Sequence, residues 1–128
     1  MKVDVGDSLP ELKVTPDKYT TIRYAGASGD FNPIHVDDEF AQTVGLPGRI
    51  LHGLWTMAQV ARTLTEVGGG AHALQRLDVT FRGMALPERE ITVTAKVSEI
   101  RDDAVLVEVR AEQDGKAIVR AGEGELRL

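Results

Sequence analysis

The feature that most constrains this chain is a change of apolar period at Gly68-Gly69-Gly70. Before that run, apolar residues recur at three- and four-residue spacing; after it, they alternate with polar ones. Side chains repeat about every 3.6 residues on a helix and every second residue on a strand, so the two halves cannot share a backbone type. A helical, glycine-rich first half followed by a strand-rich second half predicts an α+β fold. In such a fold a curved sheet wraps one apolar helix.

The main helix is expected from Gly53 to the glycine run. Leu54, Met57, Ala58, Ala61 and Leu64 share one face and are read as its core side. Trp55, Gln59, Arg62 and Glu66 lie on the other, with Arg62 and Glu66 spaced for an i,i+4 ion pair. An earlier helix is signalled at Thr15-Pro16-Asp17, a cap followed by a first-turn proline and an acid, and should stop at Ser28-Gly29. A short helix is expected after His35, with acids at Asp37, Asp38 and Glu39 in its first turn and Gly45 as terminator. Strands are predicted over 74–84, 90–100, 104–113 and 116–128, as an antiparallel meander or near-meander. Pro87-Glu88, Asp102-Asp103 and Asp114-Gly115 separate them, and the last is a tight-hairpin dipeptide.

Length makes this one domain, 1–128, with enough chain to bury a core. A net charge of −5 with scattered Lys and Arg excludes a nucleic-acid partner, which needs clustered basic side chains. No apolar run approaches the roughly 20 residues of a membrane span, and the N-terminus carries acids and a proline where a signal peptide has an apolar core. The absence of cysteine removes disulfides, zinc–thiolate sites and thiol nucleophiles, and fits a cytoplasmic protein.

The chemistry concentrates in Tyr24–His35, and above all in Asp30 and His35. On an unbroken helix these two would sit about 140° apart and share no site. Pro33 lacks an amide hydrogen and drives Asn32 toward an extended conformation, and Gly29 breaks the chain further. The segment is therefore a turn, which can aim a carboxylate and an imidazole at one water for general acid–base work. An Asp near a His is by itself more often an ordinary surface turn. The company matters: of three histidines, His35 and His52 both sit at element boundaries in the glycine-rich half. At Leu51-His52-Gly53 the main helix begins, and free amides at a helix start suit a developing oxyanion. Gly53 has no Cβ to obstruct a carbonyl approaching its amide. A metal site built from Asp30, His35 and His52 is discounted, because water addition does not require a cation.

The run Gly29-Asp30-Phe31-Asn32-Pro33-Ile34-His35, followed by Asp37 and by His52-Gly53, resembles the hydratase-2 motif of the MaoC-like dehydratases. That family includes (R)-specific enoyl-CoA hydratases and mycobacterial 3-hydroxyacyl-ACP dehydratase subunits. Val5-Gly6-Asp7 and the strand at 77–82 also follow the family order, so the resemblance covers nearly the whole chain. It implies a hotdog fold working as a dimer, as a homodimer or with a second hotdog subunit. It implies reversible syn addition of water to a trans-2-enoyl thioester, giving an (R)-3-hydroxyacyl thioester. By position, Asp30 and His35 would hold the catalytic water, Gly53 would polarise the thioester carbonyl, and Asn32 would support the turn. No cofactor is implied beyond the CoA or ACP phosphopantetheine that carries the substrate. Trp55, Met57 and Arg82 are candidate substrate contacts; Val60 and Leu64 could limit the acyl pocket, and Arg49 could meet cofactor phosphates. Two departures stand out: Ala61 replaces a hydroxyl residue carried by some members, and Pro87-Glu88-Arg89-Glu90 replaces a Pro-spacer-Gly-Asp loop. Other readings are a hotdog thioesterase, for which the main helix offers only Glu66 as an acid, and a non-catalytic or partner-dependent subunit of a heterodimeric dehydratase.

Overall fold

A computed structural model describes residues 2–128 and orders them as β1 (Leu12–Val14), α1 (Thr20–Ser28), α2 (Pro33–Val36), α3 (Asp38–Thr43) and α4 (Gly53–Val67). A 3-10 turn (Ala71–Ala73) then leads into β2 (Leu74–Phe81), β3 (Ile91–Arg101), β4 (Ala104–Gln113) and β5 (Lys116–Arg127). The sheet order is β1-β3-β4-β5-β2, and every pairing is antiparallel. β3, β4 and β5 make the expected meander. β2 departs from it by pairing with the far side of β5, and the short β1 adds to the outer edge of β3. Three residues are too few for a period of two to be read, which is why β1 escaped prediction. Both residues of Asp114-Gly115 have positive φ, 52° and 75°, as the twist-matched two-residue hairpin requires.

Alternation puts Ile91, Val93, Ala95 and Val97 of β3 on one buried face, opposite Val107, Val109 and Ala111 of β4. Helix α4 covers that face with Val60 and Leu64, both fully buried. Burying each contributes about 1.5–3 kcal/mol. The helix lies close because β5 carries glycine beneath it: a Cβ on Gly124 would sit 2.6 Å from Leu64 Cδ1. The architecture is the hotdog arrangement, α+β, with an open five-stranded sheet around one helix.

Three expectations need correction. The inward face of α4 is Thr56, Val60, Thr63 and Leu64, whereas Leu54 is 62% exposed and Ala58 is exposed. Apolar and small residues run around most of this helix, so its period fits two stripes. The sheet takes the stripe that carries Val60 and Leu64, and the close approach is the Leu64 side chain seated over Gly124. The Arg62–Glu66 pair on the outer surface forms as expected, at 2.8 Å.

Helix α1 begins at Thr20 instead of Thr15. Asp17 Oδ1 accepts from the Tyr19 amide at 2.8 Å, making a turn ahead of the helix, and the Pro16 carbonyl is taken by the Glu88 amide. His35 lies inside α2 instead of preceding a helix, because Pro33 occupies the first helical position, where its fixed φ is pre-set. The predicted second helix is α3, with Asp37 as its N-cap, accepting from the Phe40 amide.

Candidate active site

Helix α1 stops at Gly29, whose φ of 78° is the left-handed value that favours glycine. Two side-chain turns then carry the chain into α2. The Asn32 amide donates to Asp30 Oδ1 at 3.2 Å, and the Ile34 amide donates to Asn32 Oδ1 at 3.2 Å. The His35 amide closes the first turn of α2 on the Asn32 carbonyl at 2.9 Å. Asn32 thus acts on His35 through the backbone. The outcome is that Asp30 Oδ2 and His35 Nε2 face each other at 3.9 Å. A water about 2.8 Å from both atoms would fit that gap, with an angle of about 90° between its two contacts.

Hydrogen bonds to carbonyls define which nitrogen of each ring holds the proton. His35 Nδ1 lies 2.8 Å from the Ile50 carbonyl, which can only accept, so Nδ1 carries the hydrogen. In the neutral ring the lone pair is then on Nε2, the atom turned toward Asp30. His52 has the opposite arrangement, with Nε2–H donating to the Asp30 main-chain carbonyl at 3.0 Å. The two imidazoles stack with centroids 3.9 Å apart and planes 21° from parallel, and the Tyr24 ring lies 4.7 Å from His52. His35 and His52 are both buried.

The residue after His52 is Gly53, first in the 15-residue α4. Its amide belongs to the first turn, where no carbonyl of the helix precedes it, and the helix dipole makes that end positive. Clearance explains glycine here. Its φ is not in the left-handed range, but a Cβ would meet the Phe81 ring at 3.3 Å. The His35–His52 stack therefore brings an imidazole with a defined lone pair and the carboxylate facing it up to the N-terminus of α4.

Other candidate residues divide. Trp55 and Tyr24 line an open groove of about 400 Å³ with Val14, Pro16 and Ala27; neither Asp30 nor His35 lines it. Met57 is half-buried on α4, Val60 and Leu64 are core, and Arg82 is exposed just beyond β2. Arg49 donates to the Lys18 carbonyl, which commits its guanidinium to the fold. Glu66 lies 13 positions after Gly53, about 20 Å along the axis, too far to serve a thioester held at Gly53.

One ligand-type atom from each of Asp30, His35 and His52 falls within 4.8 Å of the others. Stacked rings direct their lone pairs side by side instead of at one point, so the trio fits a metal ion poorly. The sequence places His52 in the motif and Tyr24 at the start of the informative stretch, but it assigns neither a role; the ring contacts supply one. The position of His35 and His52 at element boundaries is legible in the sequence, but the contact between them joins residues far apart in the chain.

Residues 5–117 match the protein family described as MaoC like domain. A solved structure described as a MaoC-like dehydratase superposes with a TM-score of 0.94 at 31% identity, covering 98% of this chain and 41% of that one. The enoyl-CoA hydratase ChsH3 of Mycobacterium tuberculosis is 33% identical over 91 residues, 62% of this chain and 32% of ChsH3. The fatty acid synthase beta subunit TOXC of Cochliobolus carbonum is 32% identical over 107 residues, 80% of this chain. The chain spans 5% of that much longer subunit.

Proposed function

The chain belongs to the MaoC-like domain family, and from that premise we propose that it is a hydro-lyase acting on acyl thioesters. The reaction is reversible hydration of a trans-2-enoyl thioester to the (R)-3-hydroxyacyl thioester, within fatty-acid or related acyl metabolism. The observation that carries this reading is the bare Nε2 of His35 facing the Asp30 carboxylate at 3.9 Å, with its tautomer held by Ile50. Similarity to an enoyl-CoA hydratase supports the substrate class.

In the hydration direction, the Asp30–His35 pair receives the water between them, and His35 Nε2 takes one proton as the oxygen bonds to C3. The π electrons of the double bond move toward the thioester carbonyl, and the Gly53 amide stabilises the charge that gathers on its oxygen. The proton held by the pair then goes to C2 on the same face. Atoms balance with water and enoyl thioester alone, so no metal or cofactor is called for.

We also propose that the working form is a dimer of hotdogs, either two copies or this chain with a second hotdog subunit. β2 is an edge strand, and Phe31, Leu54, Phe81 and Met84 are exposed beside Asp30, Gly53 and that edge. Pairing would cover both the edge and the apolar side chains. A monomer by light scattering at micromolar concentration would contradict it. Among the described residues no helix is long and apolar enough to cross a membrane.

The test is hydration of crotonyl-CoA, followed as loss of the enoyl absorbance. Wild type should turn over, and His35→Ala should lose nearly all activity while keeping the fold. Full activity in His35→Ala would overturn the mechanism. An inactive wild type would redirect the reading to ACP-linked substrates or to a missing partner subunit.

A further inference from the structure

Asp30 sits in an exposed loop, and its catalytic use demands a defined direction. Its amide donates to Oγ of Ser28, the last residue of α1, and its Oδ1 accepts from the Asn32 amide, so both of those bonds join near neighbours in the chain. The long-range tie comes from His52, whose Nε2–H reaches the Asp30 carbonyl from 22 residues away. His52 is 2% exposed, stacks on His35, touches the Tyr24 ring of α1 and immediately precedes Gly53. One buried ring therefore contacts or adjoins all three groups assigned to the chemistry.

We infer that His52 is a positioning residue, setting the distance between the Asp30 carboxylate and His35 Nε2 through its hydrogen bond to the Asp30 main chain. This rests on the hydratase reading above, and it adds a function for a residue that touches no reacting atom. The physical ground is the steep dependence of proton transfer on geometry: a displacement of about 1 Å can cost about 10²-fold in rate. Stacking keeps the two imidazoles parallel, and the N–H of one fixes the partner of the other. The two carbonyl contacts require opposite tautomers, Nδ1–H on His35 and Nε2–H on His52, because a carbonyl can only accept.

Two substitutions separate the bond from the ring. His52→Phe keeps a planar ring against His35 and removes the donor. His52→Gln retains an N–H donor at nearly the same reach and removes the ring. Positioning predicts that H52F loses about 10²-fold in kcat for crotonyl-CoA with KM changed less than about threefold, and that H52Q recovers most of it. A merely structural role would lower Tm in both variants without that split. H52F with wild-type kcat, or H52Q as impaired as H52F, would overturn the inference.

Two further readouts do not depend on turnover. Nitrogen-15 NMR of the wild type should show the two opposite tautomers, and an Nδ1–H form of His52 would overturn the inference even if H52F does not fold. Amide exchange at Asn32 should be about tenfold faster in H52F than in H52Q; equal rates would also overturn it. If wild type fails on every thioester tried while these hold, the functional reading falls and the positioning contact stands.

Discussion

Asp30→Asn separates the two jobs the structure gives this carboxylate. Oδ1 accepts the Asn32 amide at 3.2 Å, and Oδ2 faces His35 Nε2 at 3.9 Å. Asparagine keeps the first contact, because its carbonyl oxygen can stand where Oδ1 stands, so the turn into α2 survives. It inverts the second, placing an N–H donor opposite the lone pair of His35. At 3.9 Å the amide does not bond Nε2 directly, and a water between the two loses one of its two acceptors. Losing one member of an acid–base pair costs about 10²–10⁴-fold in rate, or about 3–5 kcal/mol on the barrier. Stability should change by less than about 0.5 kcal/mol, since the side chain is half exposed and its turn contact persists. Asp30→Glu offers a second arm: one more methylene extends the carboxylate by about 1.5 Å, enough to close the gap that the water occupies, and activity should fall here too. The assay is crotonyl-CoA hydration at saturating substrate, with thermal unfolding run in parallel. Folded Asp30→Asn retaining more than about a tenth of wild-type turnover would refute the acid–base assignment.

Three other outcomes follow from the packing and charges. Gly124→Ala places a Cβ 2.6 Å from Leu64 Cδ1 and 3.1 Å from Val107 Cγ2. It should destabilise by about 1–3 kcal/mol in urea unfolding, and a neutral result would contradict the close helix–sheet contact. Gln113 is buried and bridges to the 86–89 loop, donating to the Leu86 and Arg89 carbonyls and accepting from the Leu86 amide. Gln113→Leu strands those groups and should cost about 1–3 kcal/mol by the same measurement. Arg23 beside Asp17 holds that carboxyl below its ordinary value. Folding therefore favours its ionised form, a small contribution present above the unfolded carboxyl's pKa and lost as pH falls through the depressed folded one. Arg23→Met should move the Asp17 midpoint upward in an NMR titration; an unmoved midpoint would rule out the ion pair as the cause.

Local chemistry was written in the sequence, and contact was not. The period change at the glycine run placed α4 and the three-stranded meander, because side-chain period follows directly from backbone geometry. Asp114-Gly115 predicted its hairpin and Gly29 its helix end through the positive φ those positions need. Pro33 with Asn32 made the Asp30–His35 turn legible, since both act on neighbouring dihedrals. The motif resemblance then supplied a reaction class that no spacing contains. Tertiary structure decided the rest. It chose the stripe of α4 that meets the sheet, because Gly124 on a distant strand leaves room there for the Leu64 side chain. It sent β2 to the far side of β5, a choice between partners of equal local propensity. It delivered the Ile50 carbonyl to His35 and the His52 ring to Asp30, across 15 and 22 residues of chain. Dihedral preferences act over a few residues, so a proton's place on an imidazole emerges only when remote carbonyls are brought against it.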